Sequence, residues 1–143
     1  MRAACYRPTH FRIEELVTPG IFQMYGVRAF SLFDSRLLWT ADAVRGYFDK
    51  PVRCNNWHND GTFTQRGYRP PDSLIGAETS EHRFGRALDI DVIGLGAEEV
   101  RQEILSRQER DAFQYITRLE VGVNWVHFDL KNTLEDHIIT FKP

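Results

Sequence analysis

Past Asp34 and Ser35, the apolar residues Leu37, Leu38, Ala41, Val44 and Phe48 recur on one side of a 3.6-residue period. Either Asp34 or Ser35 can cap the amino end and Pro51 closes the far end, so the pattern predicts a helix between them. A longer stripe, formed by Val100, Ile104, Leu105, Phe113, Ile116 and Leu119, predicts helix from Ala97 to about Leu119. Glu98 and Glu99 stand at its favourable end, and Ser106-Arg107-Gln108-Glu109 is the place for a break. A short helix is expected near Arg12 to Val17, ended by Pro19-Gly20.

Two segments alternate instead. From Ala87 to Ile93, Leu88, Ile90 and Val92 point one way while Ala87, Asp89 and Asp91 point the other, which is a half-buried strand carrying two carboxylates. From Val121 to Leu130, Val123, Trp125, His127 and Asp129 share one face and Asn124, Val126, Phe128 and Leu130 the other. Val52 to Trp57 is a third strand candidate, ahead of an Asn59-Asp60-Gly61 turn, and Thr62 to Thr79 reads mostly as loop. Helices and strands without regular alternation predict an α+β fold with a mostly antiparallel sheet packed with helices.

At 143 residues, with 42% hydrophobic and 27% charged residues, the chain is expected to form a single domain over 1–143. The formal charge of -2 gives no overall positive field, so neither nucleic acid nor an anionic membrane is an expected partner. That balance also argues against a metal nuclease. Cys5 and Cys54 are too few for a disulfide framework or a cysteine-rich zinc knot. The amino end, with Arg2, Arg7, Pro8 and His10, lacks the apolar run of a signal peptide, and no window approaches the roughly 18 apolar residues that cross a bilayer. A monomer made in the cytoplasm, without membrane insertion, is expected.

Candidate chemistry concentrates in Ser80-Glu81-His82-Arg83-Phe84-Gly85-Arg86-Ala87-Leu88-Asp89. A turn at Gly85 folds the His82 imidazole back toward the Asp89 carboxylate, and neutral nitrogen with anionic oxygen suits zinc at roughly 2.0 to 2.2 Å. His127 is the best third ligand, since it sets a polar group into an apolar strand; three protein ligands leave a fourth position for water. Taken singly, each of these residues has a plain structural reading. His58, Asp60, His10 and His137 read as structural or surface groups, Glu81 as a solvated loop residue, and Cys54 as a thiol without catalytic partners.

Ser80-x-His82-x-x-Gly85-x-Ala87-x-Asp89-Ile90 resembles the signature of the LAS zinc peptidases, which include D-Ala-D-Ala dipeptidases and carboxypeptidases, phage L-alanyl-D-glutamate endolysins and the hedgehog signalling domain. Trp125-x-His127 resembles their third-ligand segment, and Gly67-Tyr68-Arg69-Pro70 their arginine-bearing loop. The likeness spans about Gly67 to Asp129, is nearest to the M15-type peptidases, and makes residues 67–130 the motif-bearing core. It implies a hedgehog/DD-peptidase-like fold, Zn2+ held by His82, Asp89 and His127, and Arg69 reaching a substrate carbonyl or carboxylate. It further implies hydrolysis of short D-amino-acid-containing peptides, with a peptidoglycan stem peptide as partner, by an enzyme of carboxypeptidase or endolysin type. Such an enzyme would be carried in a phage virion or released to the cell wall on lysis.

The resemblance also implies a general-base Glu shortly before the third ligand; in the dipeptidase form it lies three residues before, and this chain has Asn124 there. Glu120 is the nearest Glu, and it reaches the His127 face only if the backbone bends near Gly122. Asp129 and Asp91 compete as catalytic carboxylates, although Asp129 fits better as the group that holds the free nitrogen of a ligand histidine. The departure at Asn124 also keeps open a non-catalytic, zinc-stabilised binding or structural domain.

Overall fold

Asp34 starts the longest helix of the computed structural model, which describes residues 4–143; Arg2 of the polar amino end falls outside those residues. The Asp34 carboxylate accepts from the Arg36 amide, and the helix α2 runs Ser35–Phe48 before Asp49 closes it in a left-handed conformation. This is the helix the apolar spacing predicts. Ahead of it, the expected helix at 12–17 is a single 3₁₀ turn, Ile13–Glu15, and Pro19-Gly20 begins a helix instead of ending one. The physical reason is that Thr18 caps the Ile21 amide and Pro19 occupies the first helical position, where its missing N–H costs nothing; α1 therefore spans Pro19–Tyr25.

Among the described residues five strands form one sheet: β1 (Val52–Arg53), β2 (Ala87–Val92), β3 (Arg118–Glu120), β4 (Val126–Asp129) and β5 (Ile139–Phe141), in the order β1-β2-β4-β3-β5. Three of the pairings are antiparallel, but β3 and β5 run parallel, so the sheet is mixed. The chain is a single α+β domain with helices packed on this sheet.

The predicted strand at 52–57 survives only at its first two residues. The helix expected to reach Leu119 stops early, as α3 (Ala97–Ser106). Phe113, Ile116 and Leu119 recur every three residues and so imitate a helical stripe. In the fold Phe113 sits in a 3₁₀ turn, while Leu119 points into the core from β3. The strand expected over 121–130 is correspondingly the hairpin partner β4, joined to β3 by a turn containing Gly122 at φ 81°.

The core contains Leu16, Leu37, Leu38, Val44, Leu88, Ile90, Ile104, Phe113, Leu119 and Phe128. On β2 and β4 these apolar residues alternate with Asp89, His127 and Asp129. Packing of Leu88, Ile90, Val126 and Phe128 on one face therefore fixes the side chains on the other. Truncating a buried Phe or Leu on these strands would cost about 2–5 kcal/mol and loosen the opposite face with it.

Candidate metal centre

The β2–β4 register sets Asp89 directly opposite His127, and Ala87 opposite Asp129. Cross-strand partners lie about 4.5–5.5 Å apart at Cβ, so a carboxylate and an imidazole in this relation touch. His82 arrives from the 3₁₀ turn Glu81–Phe84, closed by Gly85 at φ 67°. A Cβ on Gly85 would stand 2.1 Å from the Leu32 carbonyl oxygen, so only glycine makes this turn against the chain leading into α2. The turn folds His82 back toward Asp89, as its place in the sequence predicts.

Each imidazole has one nitrogen held and the other directed inward. His82 Nδ1 donates to the Gly67 carbonyl at 2.8 Å. Its Nε2 is buried and has no hydrogen-bond partner among the described residues, lying 3.3 Å from Asp89 Oδ1. His127 Nε2 lies 2.8 Å from Asp129 Oδ2, and Nδ1 lies 2.8 Å from Asp89 Oδ1. One ligand atom each from His82, Asp89 and His127 fall within 4.8 Å of one another, and all three residues are buried. The cluster could coordinate a divalent metal ion. The donor set fits a metal, because an unpartnered buried imidazole nitrogen is costly unless something accepts its lone pair, and two imidazoles with one carboxylate is a set that zinc takes.

The surrounding charges fit the same use. Burial raises the Asp89 carboxyl, but the two histidines outweigh it and hold the group well below the usual carboxylate range. For His127 burial favours the neutral ring, yet the flanking Asp129 and Asp89 prevail and push it up to about 9. Asp129 is itself buried, and its contacts with His127 and Arg118 keep it ionised and lowered. Arg118 grips it with two parallel bonds, Nε to Oδ1 at 2.9 Å and Nη2 to Oδ2 at 2.7 Å. Phe141 of β5 meets the His127 ring edge-on at 5.5 Å between centroids and also stacks under Arg118 at 4.2 Å.

The other candidates divide cleanly. Continuing the β3–β4 register by one residue puts Glu120 opposite His127. Its Oε2 lies 3.8 Å from Nδ1, the nitrogen that faces Asp89, and it lines the same cleft. The bend required at Gly122 is a full hairpin turn. Arg69 enters from the loop, with Nη2 3.3 Å from Asp89 Oδ2 and Nε bonded to the Gln65 carbonyl. Asp129 stands behind His127 in the orienting position, where Arg118 and the imidazole occupy its oxygens. Asp91 turns away to Arg53 and Arg66, and Asn124 is exposed beside the neighbouring cavity.

Glu81 is not a solvated loop group: it is buried and pairs with Arg86 at 2.7 Å. His137 is exposed beside Asp136. Cys54 is fully buried, and that burial pushes its thiol far up, away from any nucleophilic thiolate. Sequence reasoning missed the Gly67 carbonyl, Arg118 and Phe141. A backbone carbonyl leaves no sequence signal. The Arg118–Asp129 pairing becomes visible only once residues 118–120 are recognised as a strand.

No family model matches this sequence, and comparison with curated proteins and with solved structures gives no match either.

Proposed function

We propose that this chain is a zinc-dependent peptidase that hydrolyses short D-amino-acid-containing peptides of bacterial peptidoglycan. The observation that carries this reading is Glu120. A metal site that only braces a fold needs no free carboxylate beside it, whereas here one lies 3.8 Å from the inward nitrogen of His127, in a cleft it shares with Arg69. The substrate class rests on the resemblance of the 67–130 motifs to the LAS peptidases.

His82 Nε2, Asp89 and His127 Nδ1 would hold the zinc. Bound there, zinc supplies Lewis acidity and makes water a competent nucleophile near neutral pH. Glu120 accepts the proton of the attacking water on a carboxylate oxygen and returns it to the departing amine. Arg69 donates to the carbonyl oxygen of the scissile bond as negative charge gathers on it, which favours the transition state over the bound peptide. Asp129, clamped by Arg118, keeps the His127 ring turned so that Nδ1 faces inward.

Glu120→Gln separates this role from a structural one. The variant is expected to retain zinc and its melting temperature while hydrolysis of a muropeptide panel, followed by mass spectrometry, falls about 100-fold or more. Unchanged hydrolysis in the variant would overturn the base assignment. Zinc retained by the wild type with no cleavage of any muropeptide would make the centre a brace.

A further inference from the structure

Residues 70–79 run along the rim of the cleft with neither helix nor strand, and all but Pro70 and Ser73 are exposed. Leu74 is 99% exposed, so the segment buries little that could hold it in place. Yet it walls the site: Ile75 and Arg69 each line both the cleft at the candidate centre and the cavity beside it. What holds the segment is Arg83. Its Nε donates to the Ala77 carbonyl at 3.1 Å, Nη1 to the Pro71 carbonyl at 2.8 Å and Nη2 to the Ser73 carbonyl at 2.8 Å. One rigid, planar group therefore gathers both ends of the loop. Arg83 directly follows His82 in the turn Glu81–Phe84, at a position that the Ser80-x-His82-x-x-Gly85 pattern leaves free.

Arg69 lies against this loop and is gripped on several sides. Its amide donates to the His82 carbonyl at 3.1 Å, its Nε to the Gln65 carbonyl at 3.0 Å and its Nη2 to Asp89 Oδ2 at 3.3 Å. Ser73 Oγ bonds Gln65 Oε1, which ties the loop to the residue that receives Nε. Among the described residues Nη1 has no hydrogen-bond partner, and it is the nitrogen the loop packs on: a Cβ on Gly76 would stand 2.5 Å from it. The ligand turn thus fixes Arg69 twice, at the backbone through the His82 carbonyl and at the guanidinium through Arg83 and the loop it carries.

We infer that Arg83 is a positioning residue for Arg69: by closing the 70–79 loop onto the ligand turn it sets Gly76 against the guanidinium and so aims Nη1 at the carbonyl oxygen of the scissile bond. The inference rests on the peptidase reading for the task of Arg69 and adds the group that sets it. Arg83 itself touches no reacting atom; its three bonds are to the loop. A misplacement of about 1 Å in a group that acts on the transition state costs up to about 100-fold in rate. Because Arg69 acts on the developing oxyanion more than on the bound peptide, that loss falls on kcat and leaves KM near its original value.

The test is made on the full chain. Arg83→Met keeps the apolar stem and removes every donor. Amide hydrogen exchange at residues 71–77 is expected to quicken about tenfold or more while β2 and β4 exchange as before, and the Arg69 Nε–H resonance, sheltered by the Gln65 carbonyl, should shift and broaden. In zinc-loaded protein kcat on a muropeptide should fall about 10- to 100-fold at unchanged KM and zinc content. Arg83→Lys, which can keep one bond of the three, should recover part of that loss. In an Arg69→Met background Arg83→Met should cost nothing more, because it acts through the residue already removed. If circular dichroism shows Arg83→Met misfolded, Gly76→Ala, which leaves Arg83 in place, should still move the Arg69 resonance and lower kcat. An Arg69 resonance that neither substitution moves, or a full further loss from Arg83→Met on top of Arg69→Met, overturns the inference and leaves the peptidase reading in place. A resonance that moves in a protein whose wild type cleaves no muropeptide supports the setting of Arg69 by Arg83 and overturns the peptidase reading instead.

Discussion

The two imidazoles of the candidate centre are held by opposite means. His82 is fixed from behind by a backbone carbonyl, that of Gly67, and its inward nitrogen meets no hydrogen-bond partner among the described residues. His127 is fixed from behind by a carboxylate that Arg118 in turn grips, and its inward nitrogen already faces Asp89 and, further off, Glu120. The difference teaches that the inward nitrogen of His82 is left without a hydrogen bond, whereas that of His127 shares with Asp89 a proton that a metal would first have to displace. It also separates two routes of failure: the His82 side depends on where a loop lies, the His127 side on a chain of charges.

The largest expected effect comes from removing the ligands themselves. His82→Ala and His127→Ala should each abolish zinc retention after dialysis, measured by elemental analysis, because two protein ligands do not keep the ion. A variant that retained one equivalent would break the three-ligand assignment. Next comes the support behind each ring. Asp129→Asn removes the charge behind His127 and should weaken zinc binding about 10- to 100-fold in a chelator competition. For His82 the matching change is Gly67→Ala, whose Cβ would stand 2.0 Å from the Leu16 carbonyl oxygen. Backbone must move, and the Nδ1 acceptor moves with it. A comparable loss of affinity is expected there, without any change in charge.

The smallest effect is the most diagnostic. Without metal, the His127 proton is stabilised by folding, since its pKa is raised from 6.5 to about 9. That contribution is fully present below the unfolded value of 6.5 and is lost as pH rises through about 9. Asp89 and Asp129, lowered by folding, contribute in the opposite sense: their stabilisation is lost as acid protonates them below the usual carboxylate range. Metal-free protein should therefore melt highest between these limits. Apparent zinc affinity should rise with pH up to about 9, by about tenfold per unit for one displaced proton. Affinity flat across that range, in titrations buffered from pH 6 to 9, would mean that zinc does not compete with the His127 proton.

Much of the centre was legible before any fold was known, because strand alternation is a strict rule. Asp89 and His127 each sit in a run that alternates apolar and polar residues, so their faces follow from Leu88, Ile90, Val126 and Phe128; the half-buried strand expected at 87–93 is instead buried on both faces, because the candidate centre is itself covered. The place of Asp129 behind His127 follows from the same alternation. What escaped was long-range pairing. Phe113, Ile116 and Leu119 satisfy a helical period, so the strand that carries Arg118 and Glu120 read as the end of a helix. With β3 hidden, its parallel partner β5 and Phe141 had no neighbour to predict them. The Arg53–Asp91–Arg66 cluster was also out of reach, since it joins three segments across 39 positions of chain, and nothing local marks it.

The Leu16 carbonyl oxygen packs against Gly67 and accepts the Tyr68 amide at 2.9 Å, while the neighbouring Val17 carbonyl accepts from Asn55 and Trp57. The described residues of the first third of the chain supply none of the three candidate ligands, yet they are the anvil against which the Gly67 acceptor is set. Thermodynamic reciprocity then works in both directions: whatever loosens residues 13–17 would weaken ion binding at the centre, and an ion bound there would make the opening of those same residues less favourable by the same free energy.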